Sequence, residues 1–185
     1  MTSTPTPTHH SEPLTPWRAP TVDQPGGSLV AGERELLSGL LAYHRATLLA
    51  ICSGLTGEQL ATRSVEPSGI SLLGLLRHLR KVERIWWRQR VGAQDVVPLH
   101  GFGEGVDRDF DELDPGRAAE DYAALLDEWR EADAVAAAHD LDDVVRSGGE
   151  PFTVRFVYVH LIGEYARHNG HADLVRERVD GATGF

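Results

Sequence analysis

Apolar residues in this chain fall into four stretches with helical spacing, separated by polar connections. From Leu29 to Gly54, the residues Leu36, Leu37, Leu40, Leu41, His44, Thr47, Leu48 and Ile51 recur at intervals of three and four. That spacing marks one face of an amphipathic helix. Gly54 stands where such a helix stops. Gly57 to Ser68 reads as a connection punctuated by Pro67-Ser68-Gly69. Ser71 is placed to cap a second helix carrying Leu72, Leu75, Leu76, Leu79, Val82, Ile85 and Trp86, which runs to about Val91. A third helix follows Asp114-Pro115 and carries Tyr122, Leu125, Leu126, Trp129, Ala132 and Val135 to near His139. The fourth starts near Thr153, continues to about Val179, and is stopped by Asp180-Gly181.

The connections are long. Gly92 to Pro115 is polar and acidic, with Gly101, Gly103 and Gly105, and loops of this length usually serve as lids or binding loops. Residues 140–151 form a second acidic loop containing Gly148-Gly149, with at most a few strand residues around Val144. The expected fold is therefore all-α, a four-helix bundle with long inter-helix connections spanning residues 29–185. Residues 1–28 are rich in Pro, Thr, Ser and Gly, and lack the apolar periodicity that would offset the entropy of ordering. They are expected to form a disordered or extended arm, with Trp17 as an anchor on the domain and His9-His10 as tail composition.

Charge narrows the range of functions. The formal net charge is -10, and no basic block offers itself to nucleic acid or to an anionic membrane. No apolar run approaches the ~20 residues that cross a bilayer. The opening residues lack the basic and apolar regions of a signal peptide, so the expected location is cytoplasmic. Cys52 is the only cysteine, which excludes an internal disulfide and a cysteine-based zinc site. It reads as a small buried residue at the end of the first helix.

Any metal must then sit on histidine and carboxylate. Successive helical residues turn by about 100°, so His160, Glu164, His168 and His171 form one stripe on the fourth helix. Glu164 and His168, one turn apart, can grip one ion. A third ligand has to come from a facing helix, and His78 in GLLRHLRKVER lies on a mainly apolar face of the second. The set His78, Glu164 and His168 leaves coordination positions open and suits Zn(II), Fe(II), Ni(II) or Mn(II) alike. Spacing leaves the plainer alternatives standing: a hydrogen-bonded core histidine, and an ordinary exposed pair at i and i+4. No second carboxylate-histidine set points to a di-iron centre.

Other residues read more simply. His171 is a candidate hydrogen-bond donor behind the ligands, or a proton shuttle, beside His168, and His44 a candidate pocket residue; both are the candidate catalytic side chains. His160 reads as a core residue or a support for the site. Asp173 and Arg176 look like a surface pair at i and i+3. Arg155 and Arg167 look solvated, although either could meet an anionic substrate. Trp86, Trp87 and Trp129 look like packing residues.

Three stretches carry a family resemblance: YHRATLL at 43–49, PSGISLLGLLRHLRKVERIWWR at 67–88, and EYARHNGHADLVRERVDG at 164–181. On these the chain resembles the DinB-like superfamily, in the branch of mycothiol S-transferases, or mini-circle proteins, of actinobacteria. The resemblance implies a four-helix bundle with one mononuclear metal. The usual ligands are a His from the second helix and an H-x-x-x-H pair from the last. In some members, including mycothiol-dependent maleylpyruvate isomerases, the first of that pair is Glu. It therefore implies His78, Glu164 and His168 as ligands, with Glu164 departing from the all-His set. It further implies transfer of a low-molecular-weight thiol such as mycothiol to an electrophilic small molecule. The alternatives are another metal-dependent reaction on this fold, such as a thiol-dependent isomerisation, a hydrolysis or a tailoring step, and a non-enzymatic metal-binding stress module. A homodimer through an apolar helix face is compatible with any of these.

Overall fold

The computed structural model describes residues 16–99, 102–103, 106–147 and 149–184. Four long helices form the bundle: α1 (Glu33–Cys52), α3 (Leu72–Glu83), α5 (Ala118–Ala137) and α6 (Val154–Asp180). α3 runs on without a break into a π-helical segment, Arg84–Val91. α1 packs on α6, and α3 packs on both α5 and α6. The expected all-α bundle is the one observed.

The caps follow the sequence signals. The Ser71 hydroxyl accepts the Gly74 amide at 3.2 Å, and the Thr153 hydroxyl accepts that of Phe156 at 3.2 Å. The Asp114 carboxylate accepts the Gly116 amide at 2.9 Å, opening a single 3₁₀ turn, Pro115–Arg117, ahead of α5. Gly181 closes α6 at φ 78°, a left-handed conformation that glycine adopts without a Cβ penalty.

The connections hold more structure than expected. Residues 57–68 contain a short helix, α2 (Gly57–Ala61), whose start is closed reciprocally by Thr56 and Gln59. The 92–115 connection contains a two-residue hairpin, β1 (Phe102–Gly103) with β2 (Val106–Asp107), and then α4 (Arg108–Asp111). β3 (Val144–Val145) falls where a few strand residues were expected, and it pairs with β4 (Phe152–Thr153), which was not. These elements are too short to carry a periodicity, so nothing in the apolar pattern marks them. Gly101, Gly105 and Gly148 lie outside the described residues.

The part of the arm that is described, Pro16 to Ser28, has no regular secondary structure beyond a bridge at Arg18, and it is tied to the domain. The Ala19 amide donates to Leu55 at 2.9 Å and its carbonyl accepts from Gly54 at 2.8 Å. Ala19 is buried, and Trp17 meets Tyr122 edge to face at 5.8 Å. The His9-His10 pair and the rest of residues 1–15 lie outside the described residues.

The core is aliphatic, with a few buried polar links between helices. Arg45 on α1 makes a two-pronged bond to Glu83 on α3, at 2.7 and 2.8 Å. Trp129 Nε1 on α5 donates to Tyr165 Oη on α6 at 2.7 Å. One expected pairing is corrected. Arg176 is not a surface partner of Asp173: it is buried, bonds Asp180 at 2.9 Å, and donates to the carbonyls of Ile51 and Ser53 at the end of α1. Those carbonyls have no partner inside their own helix, and a guanidinium reaching from α6 satisfies them.

Cys52 is fully buried, and burial pushes its thiol up to about 12. Its thiolate fraction at neutral pH is therefore negligible. The folded protein should react with a disulfide reagent such as DTNB at a rate set by unfolding, and one thiol per chain should appear only after denaturation. Rapid labelling of native protein would contradict this burial.

Candidate metal centre

The middle of α6 faces the middle of α3 across a seam whose polar residues stay partly open to water. One ligand atom from each of His78, Glu164 and His168 lies within 4.8 Å of the other two. The α6 pair is set by the helix repeat, with His168 Nε2 3.5 Å from Glu164 Oε2. Ligands about 2.1 Å from one ion in a tetrahedral arrangement are about 3.4 Å apart, so this pair already has the spacing of neighbouring ligands. The rings of His78 and His168 meet edge to face at 4.9 Å.

Both imidazoles are held from behind through Nδ1. His78 Nδ1 is 3.3 Å from the carboxylate of Asp109, and His168 Nδ1 is 3.4 Å from His171 Nδ1. That leaves Nε2 of each facing the seam. His168 is pushed down to about 4, first by burial and then by the neighbouring His78, so it is neutral at pH 7 with a lone pair to give. Two imidazole nitrogens and one carboxylate within 4.8 Å of one another suit a divalent ion.

Asp109 is the residue that sequence reasoning passed over. It is completely buried, on α4, inside what read as an acidic loop. Burial alone would raise its carboxyl, but hydrogen bonds from His78 and Lys81 and the charge of Lys81 outweigh this and hold it below the usual carboxylate range. Lys81, the only lysine in the chain, is itself buried and pairs with the same carboxylate. A carboxylate behind a ligating histidine fixes its tautomer and raises its basicity. The one available signal was Lys81, three residues after His78 on a mainly apolar helix and in need of an anion.

α4 is seated by its contacts with the α3 side of the seam. Phe110 packs over Gly74, and its ring lies 5.9 Å from that of His78. Arg77 donates to the Arg108 carbonyl at 3.1 Å, and Arg63 to the Phe110 carbonyl. A Cβ on Gly74 would lie 2.2 Å from the Phe110 ring. Gly74→Ala should therefore push α4, and Asp109 with it, away from His78. Overpacking costs about 1–3 kcal/mol against about 1 kcal/mol gained in helix propensity. A lowered denaturation midpoint together with weaker metal binding is the expected result, and a stabilised variant with unchanged metal affinity would refute this seating role.

The remaining candidates separate clearly. His171 joins the cluster through His168. His160 lies beyond Glu164, 3.9 Å from it, and stacks on Phe156 instead of completing the ligand set. His44 is not brought to the triad by any contact among the described residues: its carbonyl accepts from Asn169 at 3.0 Å and its ring meets Tyr43. Arg155 bonds Glu33 and Asp142, and Arg167 is exposed. A cleft of about 980 Å³ between α1, α5 and residues 25–29 is lined by no member of the triad. Its cations are already partnered, Arg45 by Glu83 and Asp133 and Arg34 by the carbonyls of Ala136 and His139. It is a weaker candidate than the seam.

A four-helix bundle with a His/Glu/His cluster between its second and last long helices has the plan of DinB-like proteins. The family model described as mycothiol S-transferase matches residues 36–181, most of the chain, and the chain belongs to that family, within the DinB-like superfamily. No curated protein and no solved structure matches it. Among the described residues, no helix is long and apolar enough to cross a membrane.

Proposed function

We propose that this protein holds one divalent metal ion through His78, Glu164 and His168 and transfers mycothiol, or a similar low-molecular-weight thiol, to an electrophilic small molecule. The observation that carries the reading is the convergence of those three side chains in a chain of the mycothiol S-transferase family. The bound cation supplies positive charge that favours thiolate over thiol at neutral pH. With only one carboxylate among the three residues that would hold a dication, the site would keep one net positive charge. Zn(II), Fe(II), Ni(II) and Mn(II) all accept this ligand set.

The chain's own residues do the rest. Asp109 holds the His78 ring so that Nε2 faces the seam, and His171 does the same for His168. His171, half-buried at the edge of the cluster, accepts from His168 Nδ1 and so keeps the proton off the ligating nitrogen, while the thiol proton leaves to water. The sulfur pair then forms the bond to the electrophilic carbon. Either a leaving group departs with its bonding pair, or, at a conjugated double bond, the displaced pair takes up a proton.

The test is direct. Metal-loaded protein is mixed with mycothiol and a bimane electrophile, and the thioether is followed by fluorescence. A rate well above the uncatalysed one, falling to it in Glu164→Gln, is expected. An uncatalysed rate with intact, metal-loaded protein would refute the proposal.

A further inference from the structure

The seam does not end at the triad. One turn before Glu164 on α6 stands His160, and one turn before that stands Phe156. Facing them from the π-helical segment is Trp86, two turns beyond His78. Its ring centroid is 4.4 Å from His160, 5.8 Å from Phe156 and 5.3 Å from Phe152 of β4. The π-helical turn matters here, because wider turns change which side chains face a neighbour and are frequent at functional sites. Trp87 is buried against Tyr158 at 5.0 Å, while its neighbour Trp86 lies half-buried on the seam. Phe156, 45% exposed, leaves an aromatic surface open to water.

Arg90 completes this shelf. Its guanidinium lies over the Trp86 ring, 4.2 Å from the centroid. The neighbouring arginines of the same segment have anions: Arg84 and Arg88 share Glu128 on α5, at 2.8 and 3.2 Å. Arg90 has no carboxylate partner among the described residues, in a protein whose net charge is -10. A guanidinium over an indole can keep N–H groups at its edge available for a planar anion. A helix rises ~1.5 Å per residue, which puts the shelf at His160 ~6 Å from Glu164 along α6.

We propose that Trp86, Phe156, His160 and Arg90 seat the electrophile, and that they select a flat unsaturated ring bearing a carboxylate. The ring lies against the exposed aromatic surface, the carboxylate meets Arg90, and the electrophilic carbon points along the seam towards the triad. This rests on the thiol-transfer reading for its purpose, although binding to the shelf does not depend on transfer.

Binding is measured by calorimetric titration of unreactive 3,5-dinitrobenzoate and its methyl ester into metal-loaded and chelator-treated protein. The acid should bind about tenfold more tightly than the ester in both forms, as a charge-assisted hydrogen bond implies. Arg90→Met should bring the ratio close to one, Arg90→Lys should keep part of it, and Phe156→Ala should weaken both ligands alike. Arg130→Met, which removes a charge paired with Asp127 on the exposed face of α5, should leave the ratio as it is. Equal binding of acid and ester, no binding of either, or a preference that survives Arg90→Met would overturn the proposal. So would a preference that disappears with chelation, because the carboxylate would then be held by the metal.

A second measurement separates this proposal from the reading beneath it. Mycothiol is offered 4-chloro-3,5-dinitrobenzoate, where the sulfur–carbon bond forms, the carbon–chlorine bond breaks, and chloride leaves with the pair. Transfer without an Arg90-dependent preference sinks the shelf and keeps the transferase. An Arg90-dependent preference without transfer does the reverse.

Discussion

Replacing His168 by alanine is expected to leave the protein folded and unable to retain its metal. Wild type should carry about one ion per chain after dialysis, as a single three-ligand site implies. His168→Ala and His78→Ala should carry almost none, and thiol transfer should fall to the uncatalysed rate in both. Each variant removes one of only three protein donors, and Glu164 cannot close the site with the one that remains. Because the ion binds the folded state alone, it should also stabilise it. At a free concentration about 1,000 times Kd the gain is about 4 kcal/mol, which for a chain of this size is about 10 °C in Tm. Chelation should remove that increment from wild type and change the two variants little. His44→Ala is the informative contrast. His44 sits on α1 with its ring against Tyr43, so its loss should leave metal content unchanged. Elemental analysis and thermal denaturation with and without chelator check these outcomes together. Full metal retention by His168→Ala would remove the α6 ligand pair from the reading.

The sequence carried the bundle and the triad for different reasons. Helices α1, α3, α5 and α6 each bury an apolar stripe, and a stripe of that length leaves a periodic trace. Glu164 and His168 were legible because the helix repeat alone brings them together, with no knowledge of the tertiary fold. His78 was a weaker inference from spacing, since nothing local to α3 says which helix it faces; the family stretches supplied that. What stayed hidden depends on short elements and long reach. α4 has four residues and no periodicity, so Asp109 looked like any other acid in an acidic loop. Arg176 was paired with Asp173 because both lie on one helix, whereas its side chain is long enough to cap a different one. Trp86 and Trp87 read alike as packing residues. A run of letters does not show the change from α to π winding that buries one and turns the other to the seam.

Asp109 should matter twice, for the metal and for the fold, and the two effects can be separated. Asp109→Ala takes the carboxylate away from both His78 and Lys81. Loss of a group that orients a ligating histidine typically weakens metal binding about 10–100-fold. Breaking a buried ion pair by removing one partner costs about 3–5 kcal/mol, because the other charge stays buried. The single variant should therefore show both a lower Tm and weaker metal binding, and a skeptic could assign the second to the first. The double variant Lys81→Met with Asp109→Ala removes both charges, and replacing a buried pair by apolar groups is often close to neutral. It should regain most of the lost stability while its metal affinity stays low, since His78 Nδ1 still has no carboxylate behind it. Asp109→Asn should fall between, because its amide oxygen can still accept from His78 but brings no charge. Chemical denaturation of the chelated proteins gives the stability order, and competition with a chromophoric chelator gives the affinities. If affinity returned with stability in the double variant, Asp109 would be a partner of Lys81 alone and His78 would need no carboxylate to hold the ion.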